Sequence, residues 1–211
     1  MTDSPPAASG THTIYIVDDD AGVLDSLATL LALSGFSTRT FPSAKAFLEA
    51  APHDSASCLL LDYYMPGMDG MEMLEAMQAR DIHIPTIMMT AHGDVRIAVD
   101  AMKLGAVDFI EKPWESSELI AALFRACALS RQIQVVADNR DRAVELLATL
   151  TPREMDVFRL LILGKSTKEV ARDLKLSPRT VDVYRAGLHQ KTESSGIADL
   201  VRLAFHAGLL N

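Results

Sequence analysis

Asp18, Asp19 and Asp20 stand in a row, and Asp62, Thr90 and Lys112 each close a short apolar run. A carboxylate can act as a nucleophile and take up a phosphoryl group as an aspartyl-phosphate. Carboxylates gathered in one place repel one another, and desolvation adds to the cost. A divalent cation removes that conflict, and an all-oxygen site that leaves room for water suits Mg2+. A metal and a lysine together would then hold phosphoryl oxygens in the transition state. Taken singly, each residue has a plainer explanation. Asp18 or Asp20 could cap a helix starting at 21, Thr90 could be an ordinary strand-end hydroxyl, and Lys112 a solvated loop charge.

The elements that must position these side chains favour the joint reading. Short β-branched or apolar runs, TIYIV (13–17), FSTRT (36–40), CLLLD (58–62), IPTIMMT (84–90) and VDFIE (107–111), alternate with helical patterns. The helices are expected at 21–34, after Ser43, after Gly70, at 94–104 and from Pro113 toward 130. This is the pattern of repeated βαβ units: a five-stranded parallel sheet, flavodoxin-like, with helices on both faces. In such sheets ligands bind beyond the carboxyl ends of the strands. The three consecutive acids, Asp62, Thr90 and Lys112 all fall at that rim.

Composition sets the wider frame. The chain has 211 residues, which suggests two modest domains. No stretch reaches the ~20 apolar residues of a membrane span, so no membrane partner is expected. The segment 1–11 lacks the features of a secretory signal and is expected to be disordered. Two cysteines, Cys58 and Cys127, make no disulfide framework; they read as small buried apolar residues in a reduced, cytoplasmic setting. Net charge is −8, but it is unevenly spread. From Thr151 onward ten basic residues face seven acidic ones, a net of +3, which leaves −11 for the first 150 residues. Such asymmetry hints at an acidic site in front and an anion-binding module behind.

VDDD (17–20), LLLDYYMPGMDG (59–70), MMTAHGD (88–94) and GAVDFIEKPW (105–114) resemble, in order and spacing, the receiver domain of two-component response regulators. The resemblance covers residues 12–130. It implies that Asp62 is the phosphoacceptor for a histidine kinase. It implies that Asp18, Asp19, Asp62 and the backbone carbonyl of Tyr64 hold Mg2+, and that Thr90 and Lys112 bind phosphoryl oxygens. Phe109 would be the aromatic switch residue. Tyr64 and His92 each lie two residues past a site residue, where similar proteins tune the lifetime of the phosphoryl group.

Residues 131–149 read as a helical linker. Beyond them the helix starts are chemically explicit. Thr151-Pro152-Arg153-Glu154 and Ser166-Thr167-Lys168-Glu169 are capping boxes, and Ser177-Pro178 opens another helix. A fourth helix begins near Ser195 and ends at Gly208. The result is an all-α, four-helix domain over 150–211. Helices at 167–174 and 178–192 form a helix-turn-helix pair. Val181, Tyr184 and Leu188 face the core. Arg179, Asp182, Val183 and Ala186 lie on the opposite face, with Arg185 and Lys191 flanking it.

LTPREMDVFRLLILGKSTKEVARDLKLSPRTVDVYRAGLHQKT (150–192) is similar to the LuxR-type output domain, and the whole chain past residue 12 resembles the FixJ/NarL branch, FixJ above all. The resemblance implies a phosphorylation-controlled transcription factor. Its partners would be the kinase, double-stranded DNA and RNA polymerase, with a homodimer forming on phosphorylation through the face near 94–128. Lys168, Arg179, Thr180, Asp182, Val183, Arg185, Ala186 and Lys191 would be the DNA-binding set. Three departures stand out, the first being Tyr184, where many members have His. Thr192 replaces the usual Leu or Met, which would loosen that helix end. Asp182 faces the groove, where it would repel phosphate or accept from a cytosine amino group.

Two other functions are weighed against this one. A phosphatase working through an aspartyl-phosphate would want a second acid two residues past the nucleophile, where this chain has Tyr64. The chain is thus expected to be no enzyme beyond phosphoryl transfer onto itself and slow loss of that group. A tail that docks a protein instead of DNA is the third reading.

Overall fold

A computed structural model of the chain describes residues 12–50, 58–91 and 95–210. The N-terminal segment 1–11 and His92 lie outside the described residues.

The order of elements is β1 (Thr13–Val17), α1 (Ala21–Leu33), β2 (Ser37–Phe41), α2 (Ala44–Ala50), β3 (Cys58–Asp62), α3 (Gly70–Ala79), β4 (Thr86–Thr90), α4 (Val95–Lys103) and β5 (Ala106–Glu111). Then come α5 (Ser116–Ala148), α6 (Pro152–Ile162), α7 (Thr167–Leu174), α8 (Pro178–Lys191) and α9 (Ile197–His206). The five strands pair in parallel in the order β2-β1-β3-β4-β5. The chain divides into two compact units, Met1–Gln134 and Val135–Asn211, and the division falls inside α5.

Alternation along the strands builds two cores. Ile14, Ile16, Cys58, Leu60, Ile87 and Met89 point to the side taken by Leu24, Leu27 and Leu31 of α1 and Leu119, Leu123 and Cys127 of α5. Tyr15, Val17, Leu59, Leu61 and Met88 point the other way, to Phe47 of α2 and Met73, Leu74 and Met77 of α3. Both faces of the central strands are covered, so β1, β3 and β4 are buried along nearly their whole length, while the edge strand β2 is largely exposed. That explains the leucine run before Asp62. Cys58 and Cys127 are free and buried, and burial pushes the Cys127 thiol up to about 11.

Element ends differ from expectation where backbone hydrogen bonding decides them. β2 starts at Ser37, because Phe36 N–H is still committed to Leu31 O of α1 while Ser37 N–H donates to His12 O. β4 starts after Pro85, which has no N–H to give. α9 starts at Ile197 because Ser195 is used outside the helix: its N–H and hydroxyl both donate to Asp199. Against the expectation that no stretch has the length and apolar content of a membrane span, α5 is, among the described residues, the one helix long and apolar enough in composition to cross a membrane. Leu119, Ala122, Leu123, Ala126 and Cys127 of this helix are packed on the sheet, while Ile133, Val135 and Val136 farther along are exposed.

In the second unit, Val157, Phe158, Leu161, Val170, Val181, Leu188 and Leu200 form the core together with Leu147 from the end of α5. The Thr151–Glu154 and Ser166–Glu169 capping boxes both form. The turn between α7 and α8 is made by Lys175 in the left-handed conformation, φ 55°.

Candidate functional site

The parallel register brings the strand ends together. Asp62 lies opposite Met89 and Thr90 opposite Glu111, so the residues after β1, β3, β4 and β5 share one rim. Asp18 and Asp62 are buried, Asp19 is exposed, and Thr90 is fully buried. The carboxylates of Asp18, Asp19 and Asp62 offer oxygens all within 4.8 Å of one another. Lys112 reaches across from the end of β5. Its Nζ donates to Asp62 Oδ1 at 2.7 Å and to Asp18 Oδ2 at 2.8 Å. Asp18 Oδ1 accepts from Asp20 N–H at 2.9 Å, which fixes the other side of that carboxylate. Asp20 itself is a helix cap, as the plainer explanation had it: its side chain accepts from Gly22 and Val23 N–H at the start of α1.

The electrostatics follow from this packing. Burial pushes the Asp62 carboxyl above its ordinary range; the Lys112 ammonium pulls it down, and Asp18 and Asp19 push it up again. For Lys112, burial works downward, but the hydrogen bonds to Asp18 and Asp62 outweigh it and leave the ammonium strengthened. Asp62 thus stays raised although a lysine bonds to it directly. An all-oxygen cluster with that surplus of negative charge fits a hard divalent cation.

The backbone after Asp62 is held from two sides. Tyr63 N–H donates to Met89 O at 2.8 Å, and Tyr63 O accepts from Gly70 N–H at 2.9 Å. Tyr64 is exposed beside the rim, its ring edge-on to Tyr63 with centroids 4.4 Å apart. Lys112 N–H donates to Thr90 O at 2.6 Å, tying the last two site residues together. Phe109 is half-buried on β5 and lines an open cleft with Val95, Val99 and Met102 of α4.

In the second unit, Arg179, Asp182, Val183 and Ala186 share the exposed side of α8, and Lys168 is exposed on α7. Thr180 is half-buried and bonded through its hydroxyl to Ser177 at the helix cap. Arg185 donates to Thr167 Oγ1 at 2.8 Å. Lys191, partly exposed at the end of α8, also donates from its Nζ to the buried Glu154 Oε2 at 2.6 Å. Thr192 does not loosen the end of α8. Its hydroxyl donates to Leu188 O at 2.7 Å and bonds Ser194, so it closes the helix. Two closely packed glycines were not singled out from sequence: Gly70, against the Asp62 strand end, and Gly187, against Glu154. A β-carbon on Gly187 would meet Glu154 Oε1 at 2.9 Å. Gly70 meets Asp62 and Tyr63 across the turn before α3, and Gly187 meets Glu154 of α6, so neither close approach is set within the glycine's own helix.

Comparison with known proteins matches both units. Residues 14–124 match the response regulator receiver domain, and residues 148–204 match the bacterial regulatory proteins of the luxR family. The transcriptional regulatory protein FixJ of Bradyrhizobium diazoefficiens is 46% identical over 201 residues, 94% of this chain and 97% of that protein. Among solved structures, the response regulator StyR superposes with a TM-score of 0.85 at 37% identity, covering 93% of this chain and 99% of that one. Full-length FixJ from B. japonicum gives 0.58 at 44% identity, covering 96% and 100%.

Proposed function

Since the chain belongs to the two-component response regulators that pair a receiver with a LuxR-type DNA-binding domain, and so controls transcription, we propose that Asp62 is the acceptor through which it is switched. The observation that carries this is the Asp62 carboxylate, buried at the rim, bonded to Lys112 and flanked by Asp18 and Asp19.

In this reading an Asp62 oxygen attacks the phosphorus of a phosphohistidine on the partner kinase. The phosphorus–nitrogen bond breaks, and the kinase histidine leaves with the electron pair. Lys112 then exchanges a carboxylate partner for a phosphoryl oxygen, and the Thr90 hydroxyl donates to another. Asp18, Asp19, Asp62 and the Tyr64 carbonyl would hold Mg2+, which when bound supplies charge neutralisation at the phosphoryl oxygens. The protein turns over no other substrate; its own phosphoryl group is lost slowly to water, at a rate set in part by Tyr64 and His92.

The new charge biases a two-state receiver through Thr90 and Phe109. Exposed Val95, Val99 and Met102 on α4, and exposed Ile197, Val201 and Phe205 on α9, favour a homodimer as the active form. The dimer sets two copies of α8 in successive major grooves, about one DNA turn apart, where Lys168, Arg179, Thr180, Asp182, Val183, Arg185, Ala186 and Lys191 meet the duplex. Contact with RNA polymerase in the cytoplasm makes the output activation. The domains lie at 12–130 and 150–211, with 131–149 as the linker.

The test incubates the protein with Mg2+ and a small acyl phosphate. Mass gain by one phosphoryl group, dimerisation and duplex binding should rise together, and all three should fail in Asp62→Asn. If the variant gains the same mass, another residue is the acceptor.

A further inference from the structure

The exposed side of α8 is an unusual surface to offer a polyanion. Arg179, Val183 and Ala186 share it with Asp182, whose side chain is 63% exposed. Each DNA phosphate is a negative charge, so a carboxylate on this face weakens general attraction. Asp182 takes no part in the cap or the core of α8, and its ion-pair partner among the described residues is Arg185, one turn along the helix. The cap of α8 is Ser177, and the core contacts come from Val181 and Leu188. The Arg185 guanidinium lies 3.9 Å from Asp182, beyond hydrogen-bond distance, and gives its own hydrogen bond to Thr167 at the start of α7. A positive charge is therefore anchored beside the carboxylate without covering its oxygens.

We propose that Asp182 reads sequence, selecting cytosine at one position of each half-site; this rests on the DNA-binding reading above. An ionised carboxylate only accepts hydrogen bonds. In the major groove only cytosine N4 and adenine N6 carry donors. Adenine sets its N7 acceptor beside that donor, where it opposes the second carboxylate oxygen. Cytosine has a C–H there and presents no such opposition. Guanine and thymine offer acceptors that a carboxylate can only repel. The same charge that weakens general attraction thus penalises three of four bases at one position. Arg185 beside it offsets part of the repulsion from neighbouring phosphates.

Selection from a randomised duplex pool tests this, using the full chain treated with Mg2+ and acyl phosphate. Asp182→Asn and Asp182→Ala are run beside it, with circular dichroism confirming that both fold. The unmodified chain should enrich one cytosine column per half-site, preferred about tenfold or more over other bases. Asp182→Asn should move that column toward adenine, whose N6 and N7 suit an amide, and Asp182→Ala should erase it. Other columns should persist. If Asp182→Ala binds every duplex more tightly and keeps the cytosine column, the acid merely repels phosphate and the proposal is overturned. If the unmodified chain enriches no duplex at all, the DNA-binding reading falls and takes this inference with it.

Discussion

Gly70 stands so close to Asp62 that a β-carbon on it would lie 2.6 Å from the Asp62 carbonyl oxygen and 3.1 Å from Tyr63 Cα. Both obstacles are backbone, so no side-chain rotation relieves them. Gly70 N–H also holds Tyr63 O at 2.9 Å. The first residue of α3 is thereby pressed against the strand end that carries Asp62. Gly70→Ala must shift either α3 or the Asp62–Tyr63 backbone. Overpacking of this kind costs about 1–3 kcal/mol, and sub-ångström displacement at a reacting group costs rate as well. Urea denaturation and the rate of phosphoryl uptake should both worsen. Unchanged values in both would show that the contact relaxes without consequence.

The acidic rim should respond to metal without any phosphodonor. Asp62 is pushed up chiefly by burial, and further by Asp18 and Asp19, so a cation that binds the folded rim should stabilise the receiver. Saturation at a hundred times the dissociation constant corresponds to about 2.7 kcal/mol. Thermal unfolding in rising Mg2+ should show an increasing midpoint, and Asp19→Asn should blunt it. Asp19 is exposed, so its loss leaves the fold intact and isolates the ligand role. An equal midpoint rise in the variant would remove Asp19 from the ligand set.

Much of this was legible because the governing forces are local. Short apolar runs between helical patterns mark the strands of a parallel sheet, and Ser or Thr followed three residues later by Glu marks two helix starts whose capping boxes both form. The rim followed from topology, since parallel strands put their carboxyl ends on one edge. What escaped was set by distant partners. Nothing near Lys191 tells that Glu154 will be buried beneath it, and nothing near Thr192 tells that its hydroxyl will close α8. Asp20 was ambiguous for the opposite reason: three adjacent acids fit a cap and a ligand equally, and only the hydrogen bonds to Gly22 and Val23 separate them.

Tyr64 lies two residues past Asp62, exposed and braced edge-on by Tyr63. If Asp62 is the acceptor as proposed, a bulky ring there would restrict the approach of water to its phosphoryl group. Tyr64→Ala should change the half-life of the phosphoryl group several-fold, on the scale of ordinary positioning effects. Decay of radiolabelled protein measures it directly. A half-life equal to that of the unmodified protein would reduce Tyr64 to a rim cover.

Lys175 makes the turn between α7 and α8 at φ 55° and ψ 45°, a conformation that costs a side-chain-bearing residue roughly 1–2 kcal/mol. Glycine removes that strain but gains freedom in the unfolded chain, which returns part of the benefit. Lys175→Gly should therefore stabilise the second unit by about 0.5–1 kcal/mol, read from urea denaturation, while Lys175→Ala should not. Equal shifts in the two variants would mean that the lysine side chain, not the backbone, governs the turn.

Glu154 links three parts of the second unit: it caps α6 with Thr151, accepts from Lys191 at the end of α8, and packs against Gly187. The Lys191 ammonium, together with the Thr151 N–H, holds its carboxyl below the ordinary 4.5. A carboxyl lowered in the folded state binds its proton more readily once unfolded. Its contribution is thus fully present above about pH 4.5 and is lost as pH falls through the lower folded value. Glu154→Gln removes the charge and leaves Lys191 facing an amide. At neutral pH the variant should be less stable by about 1–3 kcal/mol, and the gap should narrow below pH 4.5 as the unmodified protein loses the same interaction. Other carboxyls titrate in this range, so Lys191→Met and the double variant complete a cycle that isolates the pair. A coupling energy that is the same at neutral and acid pH would show that the Glu154–Lys191 contact is carried by packing and not by charge.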